Sequence, residues 1–338
     1  MPTLHDVARA AGVSIATVSA TINQSAYVSP ELQGRVHKAI EELGYHPDGI
    51  ARSLKKRSTQ TLGLIISDIT NPFFTALVRG IEDAANARGY ALILCNTDER
   101  LEKERGYIRL LRSRRVDGLI MAPAGARGDY QRSDLEGGIP LVFIDRKLSG
   151  ISADAVVVDN VGGARQAVEY LLRLGHRRIA AITGLPHIST THERIEGYRQ
   201  ALESAGVPLD PALMLGGNSR LEGGYQAART LLALPRRPTA FFATNNLMAI
   251  GLMRAVAECG LRCPVDLSVA CFDDFEWASV FHPRLTTVAQ PIYDMGVKAA
   301  ELLFARLEGG RDGDPQEVIL SPTLVVRDSC AAPPPEES

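Results

Sequence analysis

The sequence has few cysteines and no long apolar run, and each scarcity excludes a class of protein. Its 338 residues include five cysteines, an odd number that is widely scattered (Cys95, Cys259, Cys263, Cys271 and Cys330). These features argue against a disulfide-stabilised secreted domain, and free thiols in a reducing cytoplasm are the simplest interpretation. No stretch approaches the roughly 18 apolar residues of a membrane helix. The first residues carry no basic segment followed by an apolar run, so we expect no secretory signal.

The sequence signatures of several enzyme classes are also missing. The chain contains no G-x-x-x-x-G-K-[ST], no G-x-G-x-x-G after a predicted strand, no G-x-S-x-G and no H-E-x-x-H. Cys259 and Cys263 lie near a helix end without neighbouring histidines, and His187 and His192 alone make a weak metal site. We therefore expect no catalytic residues, no metal and no cofactor.

The charge is balanced over the whole chain but not along it. The chain has 37 Lys and Arg against 39 Asp and Glu, with 45% hydrophobic residues, which is typical of folded protein of about two domains. Residues 1–60 contain seven basic and five acidic residues, and four of the basic ones lie between 52 and 57. A small basic segment on a near-neutral protein favours a polyanion-binding module, although charge alone also fits a solvated helix face.

The amino-terminal segment has the pattern of three short helices. Thr3 is placed to cap the first helix, Gly12 permits a tight turn, and Ser14 is placed to cap a second helix over 15–22. Pro30 suits the first turn of a third helix with apolar residues at helical spacing. This arrangement indicates a helix-turn-helix, whose second helix enters the DNA major groove, or else another small three-helix bundle.

From residue 61 onward, short apolar runs alternate with amphipathic helical stretches. The runs predicted to be strands are 62–66, 91–95, 118–121, 140–144, 155–158, 179–182, 240–243 and 268–272. This alternation is typical of parallel sheets covered by helices. So many strands fit two doubly wound lobes better than one open sheet, with ligands bound at the carboxyl ends of strands in the cleft between lobes.

Several motifs in the amino-terminal segment closely resemble the lactose-repressor (LacI/GalR) family of bacterial transcription regulators. They are Asp6-Val7-Ala8, Ala11-Gly12-Val13-Ser14, Thr17-Val18-Ser19, Asn23 and Ala51-Arg52-Ser53-Leu54. The resemblance continues through the rest of the chain at Asp68–Phe74, Arg115-Val116-Asp117-Gly118, Asp145-Arg146, Gly175-His176, Arg194-x-x-Gly197-Tyr198, Phe272-Asp273-Asp274 and Leu285-Thr286-Thr287. It implies an N-terminal all-α helix-turn-helix head plus an α/β core of two doubly wound lobes, like the periplasmic sugar-binding proteins.

The resemblance also divides the chain. The expected parts are a helix-turn-helix domain at 1–46, a hinge helix and linker at 47–60, an effector-binding core at 61–330 and a disordered tail at 331–338. The first lobe is expected to span about 61–160 and 291–318, and the second lobe about 161–290 and 319–330.

By the same resemblance, the DNA contacts come from the second helix and the hinge. Ser14 would cap the second helix. The base-facing residues of that helix would be Ile15, Ala16 and Ala20, while Thr17, Ser19 and Asn23 would mainly contact phosphates. Ala20 departs from many relatives, which carry Arg or His there, so readout would depend on thymine methyl groups and DNA shape. The hinge would supply Ala51, Arg52, Leu54 and Lys55.

The hinge is expected to become helical on DNA, because about two turns are too short to persist alone. By the resemblance, Leu54 would insert into a central base step and kink the duplex, while the basic residues neutralise phosphates. An ordinary basic linker is the alternative interpretation.

The effector contacts implied by the resemblance come from both lobes. They are Asp68, Asn71, Phe73, Asp145, Arg146, Arg194, Asn245, Asp273 and Gln290. Carboxylates, amides and a guanidinium suit a polyhydroxylated ligand, and Phe73 can cover an apolar ring face. Alternatively, Asp145 and Arg146 form a strand-end ion pair, Arg194 forms a pair on a helix surface, Asp273 caps a helix, and Phe74 belongs to the core. Asn246 and Ser219 are departures, because relatives often carry Asp at the position of Asn246 and some carry a large aromatic residue at that of Ser219.

Together these features predict a homodimeric, sequence-specific transcription regulator that acts as a repressor. It would bind pseudo-palindromic double-stranded operator DNA in the bacterial cytoplasm, at the nucleoid. A small-molecule effector, a sugar or sugar derivative, would modulate operator affinity from the cleft. Residues 72–88 and 281–290 are candidate dimer surfaces, and no membrane association is expected. The alternatives are a sugar-binding protein or a sugar or nucleotide enzyme without a DNA role.

Overall fold

The computed structural model describes residues 2–23, 25–45, 58–130, 135, 139–148, 150–309 and 313–335. The chain divides into an amino-terminal unit, residues 1–59, and a larger core, residues 60–338. The first unit is helical and the core is an α/β structure with two largely parallel sheets, so the predicted fold class is confirmed. None of the described helices is both long and apolar enough to cross a membrane.

Three helices form the amino-terminal unit, and the capping residues predicted from the sequence begin them. They are α1 (Leu4–Ala11), α2 (Ile15–Asn23) and α3 (Pro30–Leu43). Thr3 and Asp6 form a capping box at the start of α1, and Gly12 ends that helix with a φ of 62°, which favours glycine. Val7, Val18 and Val36, one from each helix, are fully buried in one small core.

The core contains seven α-helices and twelve strands among its described residues. The helices are α4 (Pro72–Asn86), α5 (Leu101–Ser113), α6 (Asn160–Arg173), α7 (Ser189–Ser204), α8 (Leu221–Leu232), α9 (Asn246–Glu258) and α10 (Ile292–Leu307). The strands are β1 (Thr61–Ile66), β2 (Ala91–Asn96), β3 (Gly118–Met121), β4 (Leu141–Ile144), β5 (Asp154–Val158), β6 (Ile179–Thr183), β7 (Met214–Gly216), β8 (Ala240–Ala243), β9 (Ser268–Phe272), β10 (Thr286–Ala289), β11 (Glu317–Leu320) and β12 (Thr323–Val325).

Two six-stranded sheets define the two lobes of the core. The first sheet has the strand order β11-β5-β4-β3-β1-β2 and the second has the order β12-β10-β9-β8-β6-β7. All pairs in the first sheet are parallel, as are those in the second, except that β12 runs antiparallel to β10. The parallel strands therefore end at one edge of each sheet, which is where a doubly wound fold binds ligands.

The chain passes between the lobes near residues 159, 290 and 321. The first two passages fall close to the predicted lobe limits. The third lies just after Leu320, the last residue of β11 in the first sheet, and the first lobe was expected to end at about 318. Pairing of β11 with the buried strand β5 draws these extra residues into the first lobe.

The candidate dimer surface at 281–290 is partly accessible. Leu285–Val288 are buried, whereas His282 and Arg284, and Trp277 and Val280 just before the segment, are exposed. The expected disordered tail begins too early. The backbone of Ala331 accepts a hydrogen bond from Ser268 and donates one back to the Ser268 hydroxyl, which joins this residue to the second lobe.

A buried carboxyl group lies inside the first lobe. Glu104, in the first turn of α5, is completely buried, and its Oε2 accepts a hydrogen bond from the Ala124 amide at 2.7 Å. The Tyr130 hydroxyl donates to its other oxygen. Burial raises the pKa of Glu104 to about 7, although the hydrogen bonds from Tyr130 and Ala124 act in the opposite direction.

This carboxyl group is expected to make stability depend on pH. Because its pKa is higher in the folded chain than the unfolded value, its ionisation opposes folding, and the cost grows from about pH 4.5 to pH 7. Glu104→Gln should therefore be more stable than the wild type above pH 7, by up to about 3 kcal/mol, with the difference shrinking toward pH 4.5. Urea unfolding across this range measures the difference. Glu102→Gln, exposed on the same helix, is the control, and equal pH profiles for Glu104→Gln and the wild type would contradict the assignment.

Candidate functional site

The first turn of α2 presents the predicted base-facing residues at the surface of the amino-terminal unit. Ser14, Ile15 and Ala16 are exposed, and 39% of the Ile15 surface is accessible although it is apolar. Ala20, one turn further on, is half-buried. An exposed apolar residue at the start of a helix, with no long side chain beside it, fits close contact with a methyl-bearing groove.

The polar residues of α2 are held in place by hydrogen bonds within the helix. Ser14 Oγ accepts a hydrogen bond from the Thr17 amide at 3.0 Å, so the predicted cap is formed. Asn23 Nδ2 donates to the Ser19 carbonyl at 2.8 Å. The Arg35 guanidinium of α3 donates to the Gly12 carbonyl at 3.0 Å, which fixes the turn before α2. Hydroxyl groups keep further hydrogen-bonding capacity, so Thr17 and Ser19 remain suitable phosphate ligands. Ala51, Arg52, Leu54 and Lys55 lie outside the described residues.

A cleft between the two lobes contains most of the predicted effector contacts. The empty space between its lining residues, including space open to solvent, is about 590 Å³. Eight of the nine predicted residues line it, namely Asp68, Asn71, Phe73, Asp145, Arg146, Arg194, Asn245 and Asp273. Gln290 is not part of the lining. Its side chain instead donates to Asp273 at 2.5 Å, and it lies where the chain passes between lobes.

The two lobes place equivalent aspartates at the ends of equivalent strands. Asp145 directly follows β4 and Asp273 directly follows β9, with φ values of 67° and 70°. Each donates its backbone amide to the neighbouring strand, Asp145 to Val156 and Asp273 to Val288. The left-handed backbone turns both buried carboxylates into the cleft, where each meets an arginine.

In the first lobe, Arg146 is paired with two carboxylates. Its guanidinium makes a bidentate contact with Glu99, at 2.9 and 3.0 Å, and its Nε donates to Asp145 at 3.1 Å. A further bond at 3.2 Å reaches the Pro123 carbonyl. Burial alone would lower the pKa of Arg146, but Glu99 and Asp145 outweigh it and the pKa is raised. The ion pair proposed as an alternative for Asp145 and Arg146 thus exists within the lining of the cleft.

In the second lobe, Arg194 is fixed on three sides. It projects from α7, is 6% exposed, and donates to Asn160 Oδ1 at 2.9 Å, to the Thr244 carbonyl at 2.7 Å and to Asp273 at 3.3 Å. Its guanidinium carbon lies 3.8 Å from the centre of the Phe272 ring. Burial raises the pKa of Asp273, although Arg194 opposes the rise. The surface-pair alternative for Arg194 is therefore wrong, as is the helix-cap alternative for Asp273.

Some polar atoms in the cleft keep capacity for a ligand. Arg194 Nη2, Asp145 Oδ1 and the hydroxyl groups of Thr190 and Thr191 have no hydrogen-bond partner among the described residues. All four residues line the cavity, and none of these atoms is among the fully buried ones that lack a partner. The cleft therefore offers a planar donor, a carboxylate acceptor and two hydroxyls at fixed positions, a set suited to a ligand rich in hydroxyl groups.

Several lining residues were not predicted as contacts. They are Phe74, Glu99, Gly184, Ile188, Thr190, Thr191, Ser219, Arg220 and Thr244. Thr190 and Thr191 could have been found, because they lie one helical turn before Arg194 on α7. Glu99 and Arg220 lie in loops without periodicity, next to residues with positive φ, so the sequence carries no comparable signal for them. Phe74 lines the cavity and belongs to the core at the same time.

Comparison with known proteins places both units in families. Residues 3–48 match the model of bacterial regulatory proteins of the lacI family, and residues 168–330 match the model of a periplasmic binding protein-like domain. The HTH-type transcriptional repressor PurR of Vibrio vulnificus is 38% identical over 97% of this chain and 98% of its own length. The ribose operon repressor of Escherichia coli K12 is 38% identical over 91% of this chain and 93% of its own length. The crystal structure of the lac repressor dimer bound to operator and the anti-inducer ONPF aligns with a TM-score of 0.87, at 28% identity, over 98% of this chain and 99% of that one.

A helix-turn-helix unit followed by a bilobal, periplasmic-binding-protein-like core defines a transcription regulator rather than an enzyme. Within that class, identity of 38% over nearly the full length of curated repressors is decisive. The chain belongs to the lacI family of bacterial regulatory proteins.

The three-sided pairing of Arg194 leads to a stability prediction. Arg194→Lys keeps the charge but removes the planar donor group, so at least one of Asn160, Thr244 and Asp273 loses its partner in a buried site. We expect a loss of about 2 kcal/mol in the free energy of unfolding, measured by urea titration. Arg199→Lys, half-exposed on the same helix, should change it by no more than about 0.5 kcal/mol. Equal losses in the two variants would contradict the role given to Arg194.

Proposed function

We propose that this protein is a homodimeric repressor that binds a pseudo-palindromic operator and changes its operator affinity when a neutral sugar occupies the cleft. The observation that carries the proposal is the lining of that cleft, which combines buried, mutually paired charges with a few polar atoms left for a ligand. The exposed start of α2 in the amino-terminal unit supplies a surface suited to the major groove.

The charges of the cleft favour a neutral effector over a phosphorylated one. Its lining contains four carboxylates, Asp68, Glu99, Asp145 and Asp273, against three guanidinium groups, Arg146, Arg194 and Arg220. Every one of these guanidinium groups already contacts a carboxylate. A phosphate would therefore enter a site of net negative charge and compete for paired arginines, which costs more than binding hydroxyl groups.

The name of one relative indicates which sugar to test first. The Escherichia coli relative is named a ribose operon repressor. Ribose is therefore the first sugar we propose as an effector, ahead of hexoses and disaccharides. Phe73 and Phe74, whose rings meet edge to face at 5.0 Å, provide an apolar surface for the carbon face of such a ring.

Two-fold symmetric DNA calls for a two-fold symmetric protein, so we propose a dimer in which each amino-terminal unit binds one half-site. The proposed dimer surface comprises the accessible face of α4 together with Trp277 and Val280, which are 57% and 68% exposed. The α4 face that packs against α10 is not available, because a Cβ atom at Gly80 would lie 2.2 Å from the Tyr293 carbonyl oxygen. Such a repressor would work in the cytoplasm, at the nucleoid.

A thermal-shift screen of the full-length protein tests the effector proposal. A ligand that binds only the folded state stabilises it by about 2.7 kcal/mol at 100 times its Kd, which raises Tm by a few degrees. We expect ribose to raise Tm and ribose 5-phosphate to raise it far less. Arg194→Ala should abolish the shift, and Arg199→Ala, on the same helix but outside the cleft, should keep it. A larger shift with the phosphorylated sugar, or none with any neutral sugar, would contradict the proposal.

A further inference from the structure

One hydrogen bond joins the two lobes directly beside the cleft. Asn71 belongs to the first lobe and caps α4, whereas Asn246 is the first residue of α9 in the second lobe. Asn246 Nδ2 donates to Asn71 Oδ1 at 2.9 Å. Asn71 is 7% exposed and Asn246 is completely buried, so water does not replace this contact easily.

The direction of this hydrogen bond is fixed by the two helices. Asn71 Oδ1 also accepts the Phe73 amide at 3.0 Å, which completes the cap of α4. Asn246 Oδ1 accepts the Leu247 amide at 2.7 Å. Each side-chain oxygen is therefore held by its own helix, and residue 246 has to supply the donor for the contact between the lobes.

We propose that Asn246 is a positioning residue for the effector site, a role that rests on the function proposed above. Asn246 is absent from the cavity lining, whereas Asn71 and Phe73 line the cavity from the first lobe and Asn245 lines it from the second. The hydrogen bond from Asn246 to Asn71 holds these two walls of the cleft at a fixed distance from each other. Effector affinity thus depends on a hydrogen bond that touches no effector atom.

An aspartate at this position tests the donor directly, because it has nearly the shape of asparagine but no amide hydrogens. An ionised carboxylate cannot donate, and it would oppose the Asn71 oxygen across the lobe boundary. It can still accept the Leu247 amide, and a negative charge in the first turn of α9 favours the helix. Asn246→Asp is therefore expected to fold while losing the contact between the lobes.

Effector affinity as a function of pH is the first measurement. For the full-length protein and ribose, we expect Asn246→Asp to bind about tenfold more weakly than the wild type at pH 8, since one buried hydrogen bond is lost. Lowering the pH should restore affinity toward the wild-type value measured at the same pH, because the introduced carboxyl group donates again once it is protonated. The charged groups nearest along the chain and across the cleft are Asp68, which pairs with Arg220, and Arg194, which pairs with Asp273 and donates to the Thr244 carbonyl.

Two further variants separate the donor from bulk structural effects. Asn246→Ala loses the donor without adding a titratable group, so it should bind weakly at every pH. Gln226→Glu adds the same charge outside the cleft, at an exposed position of α8, and should match the wild type. If Asn246→Asp is weak at all pH values, or equals the wild type at pH 8, the donor role is overturned.

Hydrogen exchange provides a second measurement that needs no effector. At pH 8, the Phe73 amide should exchange at least several-fold faster in Asn246→Asp than in the wild type, because Asn71 must rotate or separate from residue 246. The Gln226→Glu variant should show no change at Phe73. Unchanged exchange would overturn the proposal even if no sugar binds, whereas faster exchange without sugar binding would count against the proposed function alone.

Discussion

Burial of arginine beside aspartate at the ends of parallel strands is the constraint on which this cleft depends. A guanidinium group withdrawn from water needs carboxylates and carbonyl groups on several sides, and a buried carboxylate needs donors in return. Arg194 with Asp273, and Arg146 with Asp145 and Glu99, satisfy each other in this way. Their mutual pairing keeps the polar walls rigid, and it leaves only a few atoms, such as Arg194 Nη2 and Asp145 Oδ1, for a ligand.

The same constraint explains how much of the site could be predicted from the sequence. Asp145 and Asp273 follow apolar runs, and parallel strands bring such positions to one edge, so both could be placed in advance. Arg194 needed the family motif, but its burial is what distinguishes it from a surface arginine. Arg220 and Glu99 are set by loop backbone and by partners distant in the chain, and neither kind of information is periodic. The strands β7, β10, β11 and β12 were not among the predicted runs, because none of them is a continuous apolar run. β7, β11 and β12 are sheet edges with exposed positions, and β10 begins with two threonines.

The lobes are connected at three points, and contacts across the cleft supplement those connections. Passages of the chain near residues 159, 290 and 321 allow one lobe to turn relative to the other without breaking either sheet. Gln290 lies at one passage and donates to Asp273, so a pocket residue is tied to the connection itself. A ligand that changes the pairing of Asp68 with Arg220, or of Asp273 with Gln290, therefore acts on groups that also connect the two lobes.

In the function proposed above, effector binding in the cleft and operator binding by the amino-terminal unit are linked by one coupling free energy. Linkage requires that the effector change operator affinity by the same factor by which operator changes effector affinity, commonly about 5- to 150-fold. Isothermal titration of ribose into the free protein and into its operator complex, paired with operator binding at zero and saturating ribose, measures both factors. We expect two equal factors that differ from one. Equal ribose affinity for the free and DNA-bound protein, with ribose bound in both, would contradict the coupling.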